Sequence, residues 1–103
     1  MTNNYARGRA KEYIVMRELA SKGWLVSRSA MSHSPVDIFA AKNGTRILVQ
    51  VKSGKGRLGE EQRKDLVSWA KTFNAEAQLW QFHAGRKKGY SITTIHKPSG
   101  TKK

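Results

Sequence analysis

The chain has 103 residues, with 20 Lys+Arg against 7 Asp+Glu for a net charge of +13, and it contains no cysteine. That length suits one domain and not two, and the missing thiols exclude disulfide scaffolds, cysteine nucleophiles and Cys-ligated zinc. No apolar run approaches the roughly 20 residues that cross a bilayer, and the first residues hold no apolar segment of the signal-peptide kind, so a cytoplasmic protein without a membrane partner is expected.

Residues 6–22 are predicted to form a helix, because Glu12, Val15, Met16 and Leu19 recur at helical spacing. Lys22-Gly23 ends it. Trp24 to Ser29 alternates in the manner of a strand, and residues 30–35 form a loop. Val36 to Ala41 and Arg46 to Lys52 are two further strands. Between them, Asn43-Gly44 suits a two-residue hairpin turn with both central residues at positive φ. Residues 53–59 are glycine-rich and expected to be mobile. A second helix is predicted over Glu60 to Phe73, with acids in its first turn and a stripe of Leu66, Trp69, Ala70 and Phe73. Ala77 to His83 and Tyr90 to His96 are the last strands, joined by a basic turn through Gly85 to Gly89. The order α-β-β-β-α-β-β predicts an α/β fold, a mixed sheet with helices packed on it. Residues 1–96 are expected to form the single domain and 97–103 a flexible basic tail.

The positive charge runs along the whole chain, and no acid follows Glu76. So basic a surface favours a polyanion, and without a basic helix of wide apolar face that partner is nucleic acid. The few acids then become informative. A turn at Asn43-Gly44 places Asp37 across from Gln50, and strand alternation puts Gln50 and Lys52 on one face, roughly 6–7 Å apart. Glu12 lies on the apolar stripe of the first helix, where a carboxylate needs a cation, either a basic side chain such as Arg9 or Arg28 or a metal. Carboxylate, amide and backbone oxygens, the Val51 carbonyl among them, make a hard site suited to Mg²⁺ or Mn²⁺. A divalent ion beside a lysine is what phosphodiester hydrolysis requires.

Ser34-Pro35-Val36-Asp37 followed by Gln50-Val51-Lys52 resembles the PD-(D/E)xK nuclease signature. With Gly8-Arg9-Ala10-Lys11-Glu12, the segment Arg28 to Asp37, and Leu48 to Ser53, the chain resembles the archaeal-type Holliday junction resolvases over about residues 5–70. The resemblance implies a restriction-endonuclease-like fold and a homodimer that nicks four-way DNA junctions at paired symmetric positions. It implies Glu12, Ser32, Asp37, Gln50 and Lys52 as catalytic residues, with Glu12, Asp37, Gln50 and Val51 at the metal. DNA contacts are expected from Arg7, Arg9, Lys11, Arg28, His33, Lys55 and Arg57. The dimer interface is expected to involve the second helix and the later strands.

At position 50 the family usually has Glu. The amide keeps a carbonyl oxygen for a metal but removes one negative charge. Two other readings therefore stand beside the resolvase: a nuclease of the same fold aimed at other DNA, and a junction-binding protein whose catalysis is lost or weakened. His83 and His96 lack ligand spacing. Trp24, Trp69 and Trp80 fit core or dimer packing better than base stacking. The glycines around Lys55 lack the Walker spacing, which argues against an NTPase.

Overall fold

The computed structural model describes residues 4–30, 34–54, 56–83 and 89–98, with side chains from residue 9 onward. Its elements follow the expected order: α1 (Asn4–Ser21), β1 (Leu25–Arg28), β2 (Ile38–Lys42), β3 (Thr45–Ser53), α2 (Glu60–Phe73), β4 (Glu76–Phe82) and β5 (Tyr90–His96). The five strands lie side by side in chain order. All neighbours are antiparallel except β3 and β4, which run parallel because α2 carries the chain back between them.

Strand alternation splits the core in two. Ile38, Ala40, Ile47, Val49, Trp80 and Phe82 face Val15 and Leu19 of α1. Leu48 and Ala77 face Leu66 and Ala70 of α2, with Val36 and Ala75. The helices thus cover opposite faces of the sheet, a three-layer arrangement in which each strand has one side for each helix. All three tryptophans take part in packing: Trp80 is buried and Trp24 and Trp69 are half-buried.

Local chemistry sets the boundaries. The β2–β3 hairpin turns at Asn43 and Gly44, both at positive φ (50° and 82°), as the Asn-Gly pair demands. Helix α2 begins with Gln62 Oε1 accepting the Gly59 N–H at 3.2 Å, and Glu60 and Glu61 complement its dipole. It stops at Asn74, whose φ of 56° is left-handed.

The glycine-rich segment makes backbone and side-chain hydrogen bonds where it is described. Gly54 N–H donates to Phe82 O at 3.0 Å, Gly56 N–H to Ser53 O at 3.1 Å, and the Gln81 amide bridges to Gly54 O and Gly56 O at 3.3 and 2.9 Å. Lys55 lies outside the described residues, as do Ser32, His33, the basic turn over 84–88 and the last five residues of the tail.

Candidate active site

The ladder of β2 and β3 ends at the pair Ile38 and Val49, so its register is the expected one, but Asp37 is not itself a ladder pair of Gln50. Pro35, two residues upstream, has no N–H with which to extend a ladder. Asp37 is instead seated by three bonds of its own. Its N–H donates to Val49 O at 2.8 Å, its carbonyl accepts from Ser29 N–H at 2.8 Å, and its Oδ2 accepts from Val51 N–H at 2.7 Å. The carboxylate therefore takes the acceptor role that a strand carbonyl would otherwise fill, and it points along β3 rather than across it. Ser34 prepares this entry, its hydroxyl accepting from Val36 N–H at 2.9 Å.

This position changes the acidity of Asp37. Burial pushes its carboxyl up from 3.8 to about 6, and the negative charge of Glu12 pushes the same way. The Val51 N–H and the Lys52 ammonium pull it down without cancelling the effect of burial. Glu12, Asp37, Val51 and Lys52 thus come from α1, the entry to β2 and the end of β3 to one locality.

Glu12 faces the sheet end from α1, one turn before buried Val15, and pairs with Arg28 at 3.6 Å. Arg28, one of the two arginines considered for it, stands at the end of β1. Gln50 and Lys52 are half-buried on the α2 side of β3, in register with Leu79 and Gln81 of β4. Arg9 is exposed on α1 and Lys11 half-buried there, while Arg57 is exposed just before α2. Of Arg7, Ser32, His33 and Lys55, no side chain is among those described.

Among the described residues no three His, Cys, Asp or Glu side chains gather around one point. An ion here would depend on Asp37 and Glu12 together with the Gln50 amide oxygen and a backbone carbonyl. That donor set is all oxygen and fits a hard divalent cation. The raised pKa of Asp37 comes first from burial, with the charge of Glu12 adding to it, and a cation at this site would favour the ionised carboxylate.

Two features escaped the sequence reading. Gln81 clamps the glycine-rich segment beside Lys52, and Arg63 and His83 join Arg57 around a groove over β4 and β5. A turn fixes the register of a hairpin, but nothing local fixes the parallel register of β3 and β4 that sets Gln81 beside Lys52. No helix among the described residues is long and apolar enough to cross a membrane.

A model of the archaeal Holliday junction resolvase family matches residues 3–98. No curated protein matches the chain. A solved Holliday junction resolvase from the archaeal hyperthermophile Archaeoglobus fulgidus superposes with a TM-score of 0.74 at 25% identity, over 86% of this chain and 73% of that one. A second solved structure overlaps at a TM-score of 0.47 and 18% identity, over 91% of this chain and 54% of that one.

Proposed function

The chain belongs to the archaeal Holliday junction resolvase family and is a junction-resolving nuclease acting on branched DNA, and from that premise we propose how its own residues carry the reaction. Asp37, Glu12, the Gln50 side-chain oxygen and the Val51 carbonyl would hold a divalent ion, Mg²⁺ or Mn²⁺. When bound, such an ion acidifies a coordinated water and offsets charge on the phosphate. Asp37 is preset for this task because the Val51 N–H fixes one of its oxygens. Arg28 holds Glu12 at the sheet end. Lys52 hydrogen-bonds the scissile phosphate and orients the attacking water, and its charge helps keep Asp37 ionised when DNA is absent.

The observation that carries this reading is the seating of Asp37 at the end of the ladder, with the charges of Glu12 and Lys52 both acting on it. The basic surface, at +13 overall, supplies affinity for DNA arms without regard to sequence. Ser32, His33, Lys55 and the Arg7 to Lys11 stretch belong to the proposed catalytic loop and arm contacts by family likeness.

A four-way junction has two equivalent strands to cut, so paired nicks call for two sites related by a two-fold axis. An apolar face made by β1, β2, β3 and the end of α2, and not by the later strands β4 and β5, supports a homodimer. Leu25 is 80% and Phe73 41% exposed, and the two line one apolar groove with Phe39. Phe73 stacks on Trp69, ring centroids 5.9 Å apart.

The direct test incubates the protein with a labelled four-way junction and its matched linear duplex, in Mg²⁺ and in Mn²⁺, beside Asp37→Ala. Paired nicks in the junction alone, absent in the variant, establish the reading. Binding without nicks in either metal, not rescued by Gln50→Glu, overturns it.

A further inference from the structure

On the α2 side of the sheet, register aligns two rows of side chains that run from the active site across β4 to β5: Gln50, Leu79 and Thr93 in one, Lys52, Gln81 and Ser91 in the other. The outer part of these rows forms one wall and the floor of a groove of about 630 Å³. Its opposite wall is made by Gly54, Gly56, Arg57 and Leu58, with Arg63 from the first turns of α2. A side chain built at Gly56 would stand 3.8 Å from Lys52 Cδ, so the groove opens directly beside the catalytic lysine.

The lining is of three kinds. Arg57 and Arg63 bring two guanidinium groups, and no carboxylate is among the lining residues. Leu58, Leu79 and Ile95 give an apolar floor. Gln81, Thr93 and the hydrogen-bonded pair His83 Nε2 and Ser91 Oγ, 3.0 Å apart, give polar groups at the rim. Cations alone would describe a track for the DNA backbone. An apolar floor beneath them does not, because a paired duplex presents no flat apolar surface to it. A nucleotide whose base has left the stack has both parts, an anionic phosphate and a flat apolar ring with polar edges. The volume lies within the roughly 300–1,000 Å³ of small-ligand pockets.

We propose that this groove is a subsite for one unstacked nucleotide of the cleaved strand, adjacent to the scissile phosphate, with its phosphate on Arg57 and Arg63 and its base over Leu79 and Thr93. Two strand spacings, roughly 10 Å, separate Thr93 from Gln50, which a neighbouring nucleotide spans. The proposal rests on the junction-nuclease reading above and deepens it, since it gives the chain a means of selecting branched DNA. Unstacking a base within a duplex is costly, and it is cheapest where pairing is already interrupted. A site that requires an unstacked nucleotide beside the cut therefore favours a branch point over a linear duplex without reading any sequence.

The test uses a four-way junction with 2-aminopurine at each position flanking the branch, in metal-free buffer so that the DNA stays uncut. The wild-type chain is compared with Thr93→Glu, which puts a carboxylate in the groove from an exposed strand position. Ala20→Glu, exposed on α1 behind the sheet, matches the charge change. Wild type and Ala20→Glu should raise the fluorescence of one flanking position several-fold. Thr93→Glu should leave it at the free-junction level and lose about tenfold of the preference for junction over duplex, with duplex affinity following the charge control. Arg57→Ala, at an exposed position, serves as second variant if Thr93→Glu does not melt cooperatively, and the same losses are expected of it. A wild type that cuts the junction in Mg²⁺ with flat fluorescence overturns the subsite alone, as does a Thr93→Glu protein that keeps both signal and preference. Displacement of the signal by micromolar deoxynucleoside monophosphate, with junction preference intact, also overturns it, since the groove then serves a free nucleotide. A wild type that neither binds nor cuts junctions overturns the site reading and the subsite together.

Discussion

The Asp37 carboxylate accepts the Val51 N–H at 2.7 Å, so a side chain completes the strand ladder where its backbone would have continued. One oxygen is thereby fixed to β3, in a partly buried setting next to a second acid, Glu12. A carboxyl in that position holds its proton up to about pH 6 and ionises above it at a cost to the folded state.

The sign of the resulting pH dependence follows. Between pH 4 and 6 the folded chain holds a proton on Asp37 that the unfolded chain has released, so this group's contribution to stability falls as pH rises through that window. Asp37→Asn keeps the acceptor for Val51 and removes the charge. It should melt at a higher temperature than wild type at pH 7.5, by an amount on the order of 1–2 kcal/mol after allowing for partial exposure, and at the same temperature near pH 4. Its junction cleavage should fall at least about a thousandfold, as loss of a metal-holding group demands, while junction binding persists. Added Mg²⁺ should raise the wild-type melting temperature and leave that of the variant unmoved. A variant less stable than wild type at neutral pH would show that the carboxylate is compensated within the protein itself.

How much of this was open to sequence depends on what fixes each contact. Asn43-Gly44 admits one turn geometry, and that turn sets the register by which β2 meets β3. The end of the ladder was not legible in the same way, because Pro35 and the Ser34 hydroxyl redirect the chain just before Asp37. The hydrogen bonds that hold the glycine-rich segment were hidden for a related reason. Glycines say that a backbone is free to turn, and they are silent on Gln81, which comes 25 residues after Gly56 in the chain and holds it. The helical stripe of α2 was correct in period, yet it did not separate Leu66 and Ala70, which are buried, from Phe73, which the fold leaves in part uncovered.

Gln50→Glu is the informative gain-of-charge change. Near Asp37 a third carboxylate adds repulsion when no ion is present, so the metal-free variant should melt below wild type and push the Asp37 carboxyl further up. With Mg²⁺ the order should reverse. A unit charge close to a hard cation should lower the Mg²⁺ concentration for half-maximal cleavage by about tenfold or more, corresponding to about 1.4 kcal/mol. Titration of cleavage rate against Mg²⁺ measures it. An unchanged midpoint would mean that position 50 does not reach the ion.

Arg28 and Glu12 form an ion pair in which both side chains keep some exposure, 37% and 20%. Such pairs contribute roughly 0–1 kcal/mol to stability, so Arg28→Ala should melt within a few degrees of wild type. Its effect belongs to catalysis: without the guanidinium, Glu12 is free to leave the sheet end, and cleavage should fall by tenfold or more at unchanged junction affinity. Arg28→Lys should recover part of the rate, because a single ammonium holds the charge but not the planar geometry. Equal losses of binding and rate in Arg28→Ala would make Arg28 a DNA contact rather than a positioning residue.

Phe73 tests the pairing of two sites. Its ring stacks on Trp69 and tilts against Phe39 at 5.7 Å, but its outer side is open and borders the groove that holds Leu25. Phe73→Glu removes two ring contacts, each of about 0.5–1.5 kcal/mol, which should lower the melting temperature without preventing folding. It also places a carboxylate in the middle of the apolar face, where a second copy would have to bury it unpaired. Sedimentation velocity should therefore show wild type as a dimer and Phe73→Glu as a monomer at micromolar concentration. Each monomer still carries Asp37 and Lys52 at the far end of β3 from the hairpin turn, so single nicks should continue at a reduced rate. Paired nicks within one binding event should disappear, since nothing then ties the second cut to the first. Paired nicking by a monomeric variant would sever the link between this face and junction resolution.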